Sequence, residues 1–457
     1  MAFAENRISL PSRRAIELAR ARFAEWKAGK HALTQRMAGT AFVIRMVSAA
    51  IMFVSQILLA RWMGDYQFGT YVYVWTWLLL LGDIVHLGVP LTAQRYVPEY
   101  TQNRAFDLLR GYLSGSRWLT FGIATAIALV GALIVHALRG SLDADTVMPL
   151  YFGCVALPFY AFTFMVDGLA RSYNWIGLAL LPPYILRPLI VIVVAAALHV
   201  AGVPLDATTV TGILAGAIWF TALIQLLQLE RGLRGAVPAG PKTYAVRQWL
   251  GTSLPIILVW GFYTLLTSTD ILVLKLFRPA QEIAHYYAAA KTLALVSIIY
   301  FAVAAAAAHR FTALHVAGDH AGLKAFATGT VRWIFWPSLA ATLVILVLGR
   351  PVLTLFGPDF AAGYPVMAIL AVGQLARATI GPAERLLNML NQQRICALAY
   401  AVAFTVNIVG CFILAPLYGG IGAAIATAAA FLVETVLLFL IARARLSLHM
   451  FIWQPRA

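Results

Sequence analysis

Charge is scarce in this chain. Asp, Glu, Lys and Arg make up 11% of its 457 residues, where soluble domains carry about 25%. With 61% hydrophobic residues and a mean hydropathy of +0.82, that deficit excludes an ordinary soluble enzyme. It also excludes a disordered chain, which needs low hydrophobicity. Acidic side chains are the scarcer sign, 18 against 34 basic ones, for a net charge of +16. Cysteine is almost missing. Cys154, Cys396 and Cys411 sit in apolar runs with no CxxC and no Cys/His cluster, which speaks against a disulfide frame or a zinc site. There is no phosphate-binding loop for a nucleotide, and no cofactor is expected. The short alternating segments of an outer-membrane barrel are missing too. The first 38 residues are basic and lack the early apolar core of a secretory signal.

What is present is a series of long apolar runs. A helix of about 20 residues crosses a bilayer. Twelve runs qualify: 39–60, 68–90, 115–137, 147–170, 176–200, 207–229, 250–276, 284–308, 330–349, 363–388, 397–416 and 421–442. The expected fold class is an all-α polytopic membrane protein. Pro182, Pro183 and Pro188 make the fifth span the least regular, because proline removes a backbone donor. Orientation follows from Lys and Arg, which concentrate in cytoplasmic loops. With the N-terminus inside, 25 of the 34 fall on the cytoplasmic side and 5 on the other. Arg45, Arg187, Lys291 and Arg377 remain within spans. Both termini are therefore expected in the cytoplasm, and topology accounts for the basic charge without nucleic acid.

Residues 1–38 form a basic segment. Within it, 12–37 reads as an amphipathic helix, with Ile16, Ala19, Phe23, Trp26, Leu33 and Met37 at spacings of three and four. Such a helix is expected to lie on the anionic lipids of the inner leaflet. A shift of 215 residues lays the first six spans on the last six, with Tyr71 opposite Tyr286 and Phe68 opposite Ile283. Six is even, so the halves enter the membrane in the same direction. That predicts two parallel six-helix lobes, 39–230 and 250–442, about an axis along the membrane normal, with a binding site between them. A cytoplasmic linker, 231–249, would join them, and 443–457 would be a cytoplasmic tail. No loop between spans exceeds about 25 residues, which leaves no room for a folded soluble catalytic domain. An enzyme is not expected.

The stretches LLARWMGDYQFGTYVYV (58–74) and LGVPLTAQRYVPEY (87–100) resemble the opening of bacterial Wzx-type polysaccharide flippases. These belong to the multidrug/oligosaccharidyl-lipid/polysaccharide (MOP) exporter superfamily. Further matches are TDILVLKLFRPAQEIAHYYAAAKTL (269–293), VLTLFGPDFAAGYPVMAILAVGQL (352–375) and NIVGCFILAPLYGGIGAAIATA (407–428). Arg278-Pro279 departs from the small-residue turn usual there. The resemblance implies a V-shaped pair of lobes in the inner membrane. It also implies movement of a polyprenyl-pyrophosphate-linked oligosaccharide to the outer leaflet, with polysaccharide-assembly proteins as partners.

Such cargo has an anionic head, a polar glycan and an apolar tail. A cation inside a span costs about 2.5–3.5 kcal/mol, so it should face a cavity or a partner. Arg45 shares a helical face with Ser48, Met52 and Gln56, and Lys291 lies near Tyr287. Both are candidate pyrophosphate ligands; the structural alternative pairs Arg45 with Asp83 or Asp270. In span 10, Gln374, Arg377, Glu384 and Asn388 fall on one helical face. They form either a cavity wall that contacts the sugar, with Arg377 as a third candidate substrate-binding cation, or a polar seam between helices. Arg187 is expected to snorkel to the headgroups. For coupling to Na⁺ or H⁺ the candidates are Asp270, on a face with Tyr263 and Thr267, then Glu434, on a face with Thr427, and Asp83. Asp167, near a span end, is expected to be solvated. His86 could tune Asp83 or join two helices.

Three function classes remain. A lipid-linked oligosaccharide flippase accounts for the cations. A multidrug or other lipid-precursor exporter of the same superfamily would want an acidic, aromatic pocket for cationic drugs. A polytopic glycosyltransferase or O-acyltransferase would need a substantial loop with paired acids or a deep, partnered histidine, and His86 is its one support.

Overall fold

The computed structural model describes the backbone of residues 13–390, 392–446 and 448–453, and the side chains from residue 39 onward except 41, 305, 308, 309, 312, 315 and 316 within that range. The backbone is helical from Arg13. The side chains on which the amphipathic face of 12–37 depends lie outside the described residues.

Among the described residues there is no strand. Ten helical stretches among the described residues are long and apolar enough to cross a membrane. Two of them are double. The first, Phe42–Gln102, bends at Gly64 (φ 76°, ψ 167°). The last, Gln393–Leu446, bends at Gly419 (φ 59°, ψ −137°). Glycine adopts these angles without the Cβ clash that other residues meet. The second bend is a hairpin: Asn407 donates to Thr427 at 3.0 Å, and a Cβ on Gly410 would lie 2.9 Å from that of Ala426. Across the first, Gln56 lies beside Tyr71. Twelve spans result, as the apolar runs predict.

Most spans are longer than their apolar runs. Span 3 is Phe106–Leu138, span 4 Ala144–Ser172, span 6 Ala207–Ala236 and span 9 His320–Val347. Others are interrupted. Span 5 contains the expected irregularity, a π-helical turn at Pro182–Leu186 between Ile176–Leu181 and Arg187–Val200. Span 7 breaks between Val246–Leu266 and Thr269–Phe277, and span 8 between Ala280–Ala294 and Ser297–Val316. Span 10 breaks between Tyr364–Ala378 and Ala383–Met389, where Gly381 has φ 56°. A carbonyl freed at that break, on Thr379, accepts from Ile452 N–H of the C-terminal segment at 3.0 Å. Freed backbone groups inside a membrane protein must be satisfied in this way.

The 215-residue repeat is visible in the turns. Gly64 corresponds to Pro279, and the span 3–4 turn corresponds to the one around Gly357. Spans 4 and 6 form the centre of the first lobe, and spans 7, 10, 11 and 12 that of the second. The segment 237–245 is not a free tether. Thr243 N–H donates to the Asp107 carbonyl at 3.0 Å, and Arg110 donates to the carbonyls of Pro241 (2.7 Å) and Pro238 (3.0 Å).

The lobes meet at the end that bears the Gly64 and Gly419 turns. There a Cβ on Gly69 would sit 1.8 Å from the Ala280 carbonyl oxygen, so only glycine fits. Phe68 stacks edge-on against Tyr287 and Phe360, each at 6.1 Å. Asp65 faces His285 at 3.5 Å, Lys275 pairs with Asp143 at 2.6 Å, and Arg61 donates to the Leu355 carbonyl at 2.5 Å. Toward the opposite end, where span 1 begins and span 12 finishes (the terminal end), the lobes part. The second half of span 8 packs on spans 9 and 10, not on span 1. Span 1 there exposes Phe42, Val43, Met46, Val47 and Val54. Span 7 bridges the lobes: Trp249 is buried against Tyr112, and Tyr96 shares a hydrogen bond with Thr252 at 2.7 Å.

Candidate functional site

Among the described residues, four polar clusters gather the intramembrane cations. At the parted end, Arg45 is exposed on span 1. Neither Asp83 nor Asp270 is its partner. It stands within electrostatic reach of Asp167, which already pairs with Arg171 at 2.9 Å. The alternative pairing of Arg45 with Asp83 or Asp270 does not form, because this part of span 1, at Ile44, packs against Ala170 of span 4 and Ala179 and Leu180 of span 5. Asp167 is accordingly partly buried and paired, not solvated.

At the apex of the cleft, Lys291 is half-buried, with its Nζ 5.0 Å from the Tyr287 ring centroid, a cation–π contact. Tyr287 belongs to the aromatic closure with Phe68. Asp270 is within electrostatic reach of Lys291, yet among the described residues no carboxylate forms an ion pair with the ammonium. Asp270 instead accepts from the Tyr286 hydroxyl at 2.5 Å, from Thr427 at 3.3 Å and from Ile271 N–H at 2.8 Å. Asn407 continues the network to Thr427. The face expected to join Asp270 with Tyr263 and Thr267 does not exist. The helix ends at Leu266 and restarts at Thr269, which turns Asp270 into the second lobe.

The third cluster lies in the second lobe. Arg377 and Gln374 line a small cavity with Tyr263, Ser297, Tyr300 and Phe301. Arg377 Nε lies 3.2 Å from Glu434 Oε1, and its guanidinium rests 5.4 Å from the Tyr263 ring and 4.9 Å from that of Phe431. Gln374 donates to Ser297 at 2.5 Å. The single face expected for span 10 is split by the break at 379–382. Glu384 and Asn388 lie beyond it and bond each other at 2.9 Å. Glu434 and Thr427, though on one helix, serve different clusters.

The fourth cluster is in the first lobe, and the sequence reading missed it. Arg187 is 9% exposed. Its guanidinium lies 5.8 Å from the Trp75 ring and 5.1 Å from that of Tyr160. The expected snorkelling is wrong because the π-helical turn before Pro188 directs Arg187 into the lobe. Gln56 and Tyr71 line the same pocket. The neighbouring prolines were the available signal.

Asp83 sits between the lobes, accepting from Thr264 at 3.3 Å. His86 does not tune it. Its Nδ1 accepts from Gly88 N–H at 3.0 Å, and its ring packs against Phe164. A histidine held as a turn cap is not poised for acyl transfer.

Two six-helix lobes that meet at one end and part at the other define a polytopic membrane protein with the fold of the MOP superfamily. The chain superposes on an inward-facing multidrug-resistance MATE transporter of that superfamily, with TM-score 0.72, 14% identity, and 89% of this chain and 98% of that one covered. It superposes on the lipid II flippase MurJ in an inward closed conformation with TM-score 0.68 and 14% identity, covering 88% and 87%. An outward-facing MATE transporter gives TM-score 0.65 at 14% identity, covering 89% and 94%. At such identities the likeness establishes the fold. Residues 37–309 match the family model described as polysaccharide biosynthesis protein, and the chain belongs to that family. None of the curated proteins matches it in sequence.

Proposed function

We infer that the chain is a flippase that moves a polyprenyl-pyrophosphate-linked oligosaccharide across the inner membrane by alternating access, for surface polysaccharide synthesis. The observation that carries this reading is the cleft: closed at the turn end, parted at the terminal end, with the Lys291 ammonium directly below the closure and unpaired among the described residues. An anion is the partner such a cation lacks. The parted end is cytoplasmic, because it carries most of the Lys and Arg, and the arrangement is then inward-facing. The greater similarity to the inward-facing than to the outward-facing MATE structure supports that assignment.

In this reading Arg45 meets the head group at the mouth and Lys291 holds it at the apex. Arg377 and Gln374 form the wall of the second lobe. Gln56 and the Glu384–Asn388 pair supply further polar contacts. Asp270 is the coupling group. A buried carboxylate ringed by the hydroxyls of Tyr286 and Thr427 can take up Na⁺ or a proton, and Glu434 and Asp83 are secondary candidates. Anionic lipids bind the basic N-terminal segment. In cells lacking the protein, the wild-type chain restores surface polymer, whereas Arg45→Ala and Lys291→Ala insert normally and do not. Full polymer from both variants would overturn the assigned roles.

A further inference from the structure

The two lobes carry polar cores of opposite sign in comparable places. In the second lobe a tyrosine hydroxyl, Tyr286, meets a carboxylate, Asp270. In the first, the repeat-related Tyr71 lies beside Gln56, and the ionised group of the pocket is Arg187.

Arg187 differs from Arg377. Arg377 has Glu434; Arg187 has no carboxylate partner among the described residues. Two aromatic faces and the Tyr160 hydroxyl, which is within hydrogen-bonding reach, are what it has. A guanidinium has five donors and no acceptor, and a buried charge without a counter-ion is costly. Beside it, Gln56 is 5% exposed and its Oε1 is buried without a hydrogen-bond partner. A buried acceptor left unmade is costly too. Among the described residues, therefore, the guanidinium lacks an anion and Gln56 Oε1 lacks a donor that reaches it. Span 1 connects it to the cleft mouth: Gln56 lies eleven residues beyond Arg45 on one face, about 16 Å along the helix.

We propose that Arg187 and Gln56 form an anion-binding subsite in the first lobe, which takes an oxyanion flanked by a hydroxyl group. The claim rests on the flippase reading for its physiological ligand, where the oxyanion is either the carrier's pyrophosphate or the carboxylate of an acidic sugar. Arg187 makes the charged contact and Gln56 accepts from the hydroxyl. The aromatic walls of Trp75 and Tyr160 keep water from screening the pair.

The test uses full-length protein in nanodiscs, with geranyl pyrophosphate and glucuronate as separate probes, read by calorimetry and by thermal unfolding. Wild type binds one of them, and the one bound identifies the source. Arg187→Met weakens that binding by about tenfold or more, as expected for loss of a charged hydrogen bond, and Gln56→Leu weakens it less. Without probe, Arg187→Met unfolds at or above the wild-type temperature, because an uncompensated charge has been removed. If Arg187 is only structural, Arg187→Met lowers the unfolding temperature and leaves probe affinity unchanged, and the subsite is overturned. Binding of neither probe to wild type overturns it as well. Translocation of a lipid-linked oligosaccharide is scored separately. Its absence in wild type with Arg187-dependent probe binding intact would remove the flippase reading and leave the subsite standing.

Discussion

Arg377 and Glu434 form an ion pair in which the carboxylate is almost wholly buried. Removing one member of such a pair strands the other and costs about 3–5 kcal/mol, whereas replacing both by apolar groups can be neutral. Glu434→Gln is therefore expected to lower the stability of the solubilised protein by about 3 kcal/mol. The double variant Arg377→Met, Glu434→Leu is expected to recover most of it, which thermal unfolding will show. Equal stability of Glu434→Gln and wild type would mean that the pair carries no such energy. Asp270 is a different case, since its partners are neutral. Asp270→Asn is expected to keep substrate binding and lose stimulation by an imposed ion gradient. Gradient dependence unchanged in that variant would reject the coupling role. At this scale the sequence shows which charges lie within the membrane, because composition marks them. It does not show their partners, which come from spans distant in the chain: Arg45 with span 4, Glu434 with span 10, Thr427 with span 7.

Twelve apolar runs became twelve spans because hydropathy alone determines which segments can leave water. Helix interruptions were harder to read. The π-helical turn in span 5 had its prolines as a signal. The breaks at 267–268 and 295–296 had none, and they turn faces that a continuous helix would have kept together. The first of them parted Asp270 from Tyr263, and in span 10 the break at 379–382 parted Glu384 from Arg377. The break in span 10 depends on a contact from the far end of the chain, Ile452 to Thr379, with Leu448, Met450 and Ile452 buried. A chain ending at 447 is expected to lose this support and to unfold at a lower temperature than the full chain. Equal unfolding temperatures would show that the tail does not brace span 10. Gly69 marks the tightest approach of the lobes. Gly69→Leu would drive its side chain into the Ala280 backbone, so it is expected to separate the turn end. A thiol at His285→Cys should then react faster with a membrane-impermeant reagent. An unchanged labelling rate would show that the closure tolerates the bulk.

For the molecule as a whole, the repeat and the parallel lobes were legible because six is even and one offset serves all spans. The state of the cleft was not, since it depends on which ends of the lobes touch. The orientation proposed from charge predicts that a reporter fused within 231–249 is active only if it functions in the cytoplasm. Activity of a periplasmic reporter at that point would reverse the assigned ends. The flippase reading itself is tested most directly in proteoliposomes loaded with a labelled polyprenyl-pyrophosphate oligosaccharide, by following protection of the label from an external reagent. Cysteines at positions 65 and 285, where the native side-chain tips lie 3.5 Å apart, lock the turn end when a bis-methanethiosulfonate reagent bridges, and so oxidises, both thiols. The account predicts that the reduced protein moves the label between leaflets, that oxidation stops the movement, and that reduction restores it. Movement at the same rate with the turn end locked, or none with it free, would contradict alternating access of this substrate through the cleft.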